Sequence, residues 1–249
     1  MTATKSFWKN NQLNFFDSVQ NNSFPAGVWA DCPMLAALCD PNVANVIDED
    51  FNNIDAATLA GYTATQATAG TWALTDAAGG VALADSNSTT QGQGINVQKL
   101  GEDFKPAASK DIWFETRVKV VDTFDDAELF IGLSITDTAI IDTQANASTD
   151  HIGWHCVTND GVLLFSAEKG GTGTTKAAAT LEEDTWIRLG FKVNGVTSIE
   201  HWVNGEKQST SHATANISVA EMTPSFVCQS GGTADPILWV DYYKVFQLR

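Results

Sequence analysis

The alternation of apolar and polar residues is clearest between residues 184 and 206. Every second position of the first half is apolar, at Ile187, Leu189, Phe191 and Val193. Because successive residues of a strand lie on opposite faces, this run predicts a half-buried strand. Asn194-Gly195 predicts a tight hairpin turn with positive φ at both residues, before a second strand from Ser198 to Val203. Asn204-Gly205 predicts another turn, so the stretch indicates an antiparallel sheet.

The same pattern recurs along most of the chain after residue 46. Short runs with strand-like alternation are separated by turn residues, and we interpret them as strands near residues 47–51, 62–66, 71–75, 81–84, 94–98, 110–121, 129–135, 151–157, 162–167, 223–229 and 237–246. We interpret residues 136–150 as a long loop or a short helix near Asp137 to Asp142, and Gly170 to Thr175 as a flexible loop. Strands without helical crossovers predict an all-β fold, an antiparallel β-sandwich or jelly roll.

Residues 1–46 differ from the rest of the chain, and we predict an irregular N-terminal arm there. The arm is rich in Asn and Gln, and its aromatic residues are Phe7, Trp8, Phe15, Phe16, Phe24 and Trp29. A short helix is expected from Cys32 or Pro33 to Cys39, with Pro41 ending it. Exposed aromatic residues are costly unless something covers them. The arm therefore either packs on its own domain, which we place at residues 47–249, or docks on a neighbouring chain.

Composition and charge argue against two classes of binding partner, nucleic acids and membranes. The chain has 249 residues and a formal net charge of −16, with Lys and Arg totalling only 14. This balance argues against nucleic acid as a direct partner, since phosphate binding needs a basic patch. No apolar run approaches the roughly 20 residues of a membrane span, so no membrane partner is expected. The first residues show no signal-peptide pattern.

The four cysteines lack zinc-ligand spacing. Cys156 and Cys228 lie in strand-like runs and are expected to be buried thiols. Cys32 and Cys39 either form a disulfide across one helical turn or remain free.

Several patterns of acidic residues and histidines bear on possible catalysis and metal binding. A retaining glycosidase needs two carboxylates about 5 Å apart, but Glu115 has Trp113 and Arg117 as its strand-face neighbours. Asp122, Asp125, Asp126 and Glu128 form an acidic cluster, but the residues from Thr123 to Ala127 predict a turn. His151 and His155 lie about 13 Å apart along an extended strand, too far for one ion. Loop oxygens could contribute to a calcium site, at Asp137, Asp142 and Asn146, or at Asp235 and Asp241. These patterns identify no catalytic group, no metal site and no cofactor.

Three tryptophans are the remaining candidates for a binding site. Trp113, Trp186 and Trp202 fall opposite the most apolar face of their strands. Indole rings there could stack on sugars, or pack in a second layer or an oligomer contact.

Three groups of residues together resemble the concanavalin A-like (laminin G/lectin/glucanase) jelly-roll superfamily. The resemblance covers residues 47 to 249 and is carried by Glu49–Asn52, by Trp113–Val120 with Phe130–Leu133, and by Trp186–Val193 with His201–Gly205 and Trp239–Val245. Within that superfamily the sequence is similar to structural proteins of tailed bacteriophages, in the stretches Gln91–Lys99, Phe104–Glu115 and Pro224–Leu238.

The resemblance implies a non-enzymatic virion protein on the capsid exterior. Such a protein would decorate or cement the shell by binding the major capsid protein, as a homo-oligomer, with the arm's six aromatic residues at the contact. The alternative that it implies is a carbohydrate-binding module of a phage fibre or host-attachment structure, with glycan at Trp113, Trp186 and Trp202.

Overall fold

The structure is a computed structural model of the whole chain. It describes residues 5–9, 12–17, 22–25, 27–34, 40–52, 60–67, 70–75, 80–142, 145, 148–157, 160–208 and 212–249. Within these ranges, no helix has the length and apolar character needed to cross a membrane.

Eighteen β-strands form within the described ranges. They are β1 (Lys5–Lys9), β2 (Gln12–Asp17), β3 (Asn22–Pro25), β4 (Ala44–Glu49), β5 (Tyr62–Ala67), β6 (Thr71–Thr75), β7 (Val81–Asp85), β8 (Gly94–Lys99), β9 (Ile112–Val121), β10 (Ala127–Ser134), β11 (His151–Cys156), β12 (Val162–Lys169), β13 (Thr172–Thr180), β14 (Ile187–Asn194), β15 (Ser198–Val203), β16 (Glu206–Lys207), β17 (Thr223–Ser230) and β18 (Ile237–Leu248). Three short 3₁₀ turns accompany them, at Gly27–Trp29, Phe124–Asp126 and Thr214–Asn216.

Two antiparallel sheets make the sandwich. The seven-stranded sheet has the order β13-β12-β11-β10-β17-β8-β5. The eight-stranded sheet has the order β16-β15-β14-β9-β18-β7-β6, with β4 also paired to β18. The predicted all-β fold, an antiparallel sandwich, is therefore confirmed.

The core lies between the sheets because each strand turns its apolar positions inward. Phe114 on β9 and Phe191 on β14 stack with ring centroids 4.9 Å apart. Trp154 on β11 meets Phe191 at 5.6 Å and Phe165 on β12 at 5.0 Å. These rings are fully buried and come from both sheets. They join the two layers, which is what the alternation between Ile187 and Val193 predicts.

The turns differ in part from their predictions. Asn204 and Gly205 both have positive φ, at 51° and 83°, and join β15 to β16 as expected. At the earlier turn only Gly195 has positive φ, and Asn194 pairs with Ser198. The β14–β15 connection is therefore a three-residue loop and not the two-residue turn that the Asn-Gly pair suggests.

The flexible loop predicted from Gly170 to Thr175 is also wrong in extent. Gly170 and Gly171 form the turn, and the chain pairs with β12 again from Thr172 onward. Small and polar residues fill β13, so its strand character depends on the pairing partner and was invisible in the local pattern.

The N-terminal arm is more ordered than predicted. Strands β1, β2 and β3 form a separate antiparallel sheet in that order, which we call the N-terminal sheet. The boundary expected after residue 46 falls inside β4, which pairs with β18 along its length. Most of the helix expected from Cys32 or Pro33 to Cys39 lies outside the described ranges, since residues 35–39 are not described. Cys32 is a free, buried thiol.

Residues 27–34, which we call the docked segment, lie on the outer face of the eight-stranded sheet. Val28 and Cys32 are each 1% exposed, and with Trp29 they pack in a cluster that includes Trp113 and Trp202. Gly190 on β14 leaves room for this contact, since a Cβ there would lie 3.1 Å from Cγ1 of Val28. The docked segment therefore covers an aromatic part of the sheet that would otherwise face water.

Asp31 is the polar anchor of the docked segment. Its Oδ1 accepts a hydrogen bond of 3.0 Å from Nε1 of Trp113, and its Oδ2 accepts one from Nζ of Lys192. The same ammonium lies 3.5 Å from Asp111 and 4.9 Å from the centroid of the Trp113 ring. Lys192 is only 7% exposed, so these groups replace much of the water that its charge would otherwise need.

We expect Asp31→Ala to lower the free energy of unfolding by about 1–3 kcal/mol, because it leaves buried donors of Trp113 and Lys192 without this partner. Asp48→Ala is the matched control, since Asp48 pairs with Lys244 at 2.9 Å on the exposed surface. A pair of that kind contributes about 0–1 kcal/mol. Urea unfolding of both variants measures the difference, and equal losses would contradict the anchoring role of Asp31.

Candidate functional site

The three tryptophans predicted to bind sugar all belong to the outer face of the eight-stranded sheet or to its margin, but they differ in access. Trp113 on β9 is 2% exposed beneath the docked segment. Its indole edge packs against Phe246 at a centroid distance of 5.4 Å, and its Nε1 is bonded to Asp31. A sugar could reach this ring only if residues 27–34 moved, so Trp113 serves as packing for the docked segment.

Trp202 lies at the floor of a cleft between the docked segment and the β15–β16 hairpin. The cleft has a volume of about 600 Å³, and its polar rim is formed by Asp31, Glu200, Glu206 and Lys207. Nζ of Lys207 is bonded to Glu200 at 2.6 Å and lies 5.7 Å from the Trp202 ring centroid. A concave site of this volume, with an aromatic floor and both donors and acceptors, has the size and character of small-ligand pockets.

Trp186 lies just before β14 and is partly exposed beside the cations of β9. The Arg117 guanidinium lies 4.7 Å from its ring centroid, and Nζ of Lys119 lies 5.4 Å from it. Lys119 also lies 4.3 Å from the ring centroid of Trp239 on β18, so one ammonium lies between two indoles. Trp239 was not among the tryptophans predicted to form a site. It lies opposite Lys119 because β9 pairs with β18, and this pairing joins residues that are far apart in the sequence.

Glu115 was the carboxylate considered above for a glycosidase. It is 6% exposed. It accepts a 3.0 Å hydrogen bond from the hydroxyl of Tyr242, and Arg188 lies 3.8 Å away. Burial raises the pKa of Glu115 above its ordinary value, and Arg188, Trp29 and Tyr242 oppose that rise. Its neighbours are therefore a cation and hydrogen-bond donors, whereas a glycosidase would place a second carboxylate there.

Other acidic residues hold loops in place. The turn predicted around Thr123 to Ala127 is present, and Oδ2 of Asp126 accepts bonds from the amides of Thr233 and Ala234 at 2.9 and 2.6 Å. Burial raises the pKa of Asp85, the amide of Asn87 opposes that rise through a hydrogen bond, and the negative charge of Asp235 adds to it. This carboxylate pair was not predicted, because its members are 150 residues apart in the sequence.

The residues considered for calcium are also engaged. Asp235 accepts bonds from Ser86 and Ser88, and Asp241 pairs with Arg117 at 3.0 Å. Asn146 lies outside the described residues. In the part of the chain that the structure describes, no three His, Cys, Asp or Glu residues converge as metal ligands.

The two histidines of β11 are closer than their strand positions suggested. Nε2 of His151 lies 2.8 Å from Oγ of Ser166, and Nδ1 of His155 lies 3.0 Å from the same atom. The 13 Å distance along the strand was wrong as a measure of ring separation, because both rings lean toward Ser166 on β12. Nδ1 of His151 lies 3.1 Å from the carbonyl of Ser148, to which it must donate, so its Nε2 accepts from Ser166. Nδ1 of His155 then donates to Ser166.

The other two histidines pack on aromatic rings. His201 stacks on Phe165 with centroids 4.5 Å apart, and His212 lies 5.6 Å from His201. Burial is the largest influence on all four histidines. It lowers the pKa values of His151, His155 and His201 from 6.5 to about 4, and it lowers that of His212 as well. At neutral pH the four rings are therefore uncharged structural groups.

The aromatic residues predicted to bind a capsid partner are divided by the structure. Phe7 and Trp8 belong to β1, Phe15 and Phe16 to β2, and Phe24 to β3. Trp29 instead lies in the docked segment and is 8% exposed, so it stabilises its own chain.

Comparison with known proteins adds information on the fold alone. No protein-family model matches the chain, and no curated protein matches its sequence. Among solved structures, a protein of unknown function from Shewanella oneidensis MR-1 is 14% identical with a TM-score of 0.59, over 83% of this chain and 87% of that one. An endo-1,3-beta-glucanase from Streptomyces sioyaensis is 13% identical with a TM-score of 0.55, over 84% and 98% of the two chains.

The globular domain of T. cruzi calreticulin is a third similar structure, 10% identical with a TM-score of 0.56 over 80% of this chain and 88% of that one. These likenesses show the fold alone, an antiparallel jelly-roll β-sandwich. Identities this low carry no activity or ligand from one protein to another.

We expect the protein to lose stability as the pH falls from 6.5 toward 4. Above pH 6.5 the histidines are neutral in both states, and below it the unfolded chain binds protons that the folded chain excludes. Each histidine with a folded pKa of about 4 should cost about 1.6 kcal/mol between pH 6.5 and pH 5.

Urea unfolding at pH 7, 6 and 5 measures this loss. A His155→Asn variant should show a shallower dependence on pH, by up to one proton. Stability that stays constant from pH 7 to pH 5 would contradict the neutral, buried state of these rings.

Proposed function

We propose that the protein is a non-enzymatic structural protein of a bacteriophage virion that decorates or cements the head shell by binding the major capsid protein. The observation that supports this most is the N-terminal sheet, which is separate from both sheets of the sandwich. A segment of that kind is suited to contacts between molecules. The phage assignment itself rests on the sequence resemblance and on no structural comparison.

The mechanism follows from linkage. A protein that binds assembled shell subunits, and binds separated ones less well, stabilises the assembled state by mass action. The docked segment supports this role, because Asp31 and Lys192 tie residues 27–34 to the sandwich. A partner that holds residues 5–25 would therefore be joined mechanically to the whole domain.

The surroundings of Glu115 favour a role without catalysis. Arg188 and Tyr242 are its neighbours, and Lys244 also acts to lower its pKa. A general acid would need a second carboxylate nearby to complete the reaction. Hydrolysis of a polysaccharide that Glu115→Gln abolishes would refute this part of the proposal.

Removal of residues 1–25 should abolish or strongly weaken co-sedimentation of the protein with empty phage heads. The deletion keeps the docked segment, so the thermal unfolding of the sandwich should be unchanged and serves as the control. The full-length chain is expected to sediment with heads in proportion to the available capsid sites. If the shortened chain sediments equally well, the N-terminal sheet has no part in binding the shell.

A second candidate function is carbohydrate binding, which the cleft above Trp202 favours. Its rim offers carboxylates and an ammonium to hydroxyl groups, and Trp202, which is 9% exposed, contributes an aromatic lining. A neutral glycan fits better than an acidic one, because Asp31, Glu200 and Glu206 outnumber the single rim cation, Lys207.

If the cleft binds glycan, a glycan array should give saturable signals, and Trp202→Ala and Lys207→Ala should each lower the affinity about tenfold or more. Lys207 is half-exposed, so its variant avoids the loss of packing that Trp202→Ala brings. Trp186→Ala is the matched control, since Trp186 lies on the same sheet beside Arg117 and Lys119. A blank array, or a loss with Trp186→Ala alone, would refute the cleft as the site.

A further inference from the structure

The outer face of the seven-stranded sheet is polar and yet buried where β8 and β17 lie side by side. It carries four polar side chains of these two strands, each at most 5% exposed: Asn96, Gln98, Ser225 and Gln229. A polar sheet face normally lies against water, because polar groups lose hydrogen bonds when they are buried. Residues 135–142, which we call the strap, cover this face instead.

Side-chain amides of the sheet hold the main chain of the strap. Gln98 uses both of its polar atoms, since its Oε1 accepts a 2.9 Å hydrogen bond from the amide of Asp137 and its Nε2 donates one of 3.0 Å to the carbonyl of Ile135. Nδ2 of Asn96 donates a 2.7 Å hydrogen bond to the carbonyl of Asp137. These bonds join neutral groups, and water replaces such bonds at little net cost.

Two oxygens of the same face are less well served. Within the part of the chain that the structure describes, no group donates to Oδ1 of Asn96 or to Oε1 of Gln229. Both side chains are buried, and an acceptor buried without a donor costs free energy. Water reaches both oxygens once the strap lifts, so this gain offsets part of the cost of opening.

The strap is held by a small apolar cluster of its own. Ile140 and Ile141 are 0% and 1% exposed, and they pack with Phe130, Val157 and Val227. This cluster is separate from the core between the two sheets. Lifting the strap therefore breaks the small cluster and leaves the core intact, and segments with few buried apolar contacts open at a lower free energy than the whole domain.

We infer that the strap opens as a unit, at a free energy well below that of global unfolding, and thereby uncovers the polar face of Asn96, Gln98, Ser225 and Gln229. The strap is thus a cover built into the fold. A polar ligand on this face would compete with the main chain of the strap for the same side-chain amides, so the closed strap keeps the face inaccessible. The inference is independent of the proposed role in a virion.

The test uses two variants of the full-length protein that each remove one methylene from a buried isoleucine. Ile140→Val acts in the cluster of the strap, and Ile199→Val, the matched control, acts in the core between the sheets. Hydrogen–deuterium exchange is followed under conditions in which its rate reports the opening equilibrium. The amide of Asp137 reports the strap, because it is bonded to Gln98, and the amides of the central strand β10 report global unfolding. In the unaltered chain the strap amide should exchange at least about 100-fold faster than those of β10, after correction for intrinsic rates.

The two variants should act differently on the strap. Ile140→Val should speed exchange at Asp137 about 2- to 12-fold, because the packing of Ile140 is lost when the strap opens. Ile199→Val should speed exchange in β10 over the same range and leave Asp137 unchanged, because Ile199 stays packed beneath an open strap.

Three results would overturn the inference. Exchange at Asp137 as slow as in β10, or equal acceleration of Asp137 by both variants, would mean that the strap opens only when the sandwich unfolds. Fast exchange at Asp137 that neither variant changes would mean that the strap frays locally and does not release Ile140 from its cluster.

Discussion

The structure depends on the packing of two apolar sheet faces against each other. That packing determines which residues lie on the outer faces of the two sheets. Phe114, Phe191, Trp154 and Phe165 point into the core, and because successive residues of a strand lie on opposite faces, burying these rings fixes which residues lie on the outer side. On the eight-stranded sheet the opposite side carries Trp113 next to charged residues. That outer face is too apolar to be left to water, and the docked segment covers part of it.

Burial of the core thereby determines where the docked segment, residues 27–34, can lie. Val28 fits where Gly190 has no Cβ, and Asp31 reaches the ammonium of Lys192 and the indole of Trp113. Both contacts depend on outer-face residues whose positions are set by the inward residues beside them. The anchor therefore fixes residues 27–34 on the outer face of the eight-stranded sheet.

The sequence alone predicts most strands and the layer architecture, because inward positions such as Ile187 and Leu189 repeat with period two. It does not predict β13, whose small and polar residues pair with β12 only through the fold. Nor does it predict the N-terminal sheet, because the residues of β1, β2 and β3 show no alternation of apolar and polar positions, and their pairing appears only in the register between strands.

The candidate sites were less predictable than the strands, because they also depend on contacts between residues that are far apart in the sequence. Trp113, Trp186 and Trp202 look equivalent in the sequence, since all three fall opposite apolar positions, but a segment more than 80 residues away from Trp113 decides which ring is covered. His151 and His155 illustrate the opposite error, in which residues judged too far apart share one hydroxyl of Ser166. Local patterns report which face a residue occupies. Access and side-chain separation depend on what packs across that face, so the docked segment determines the exposure of the aromatic residues and with it the surface open to a partner.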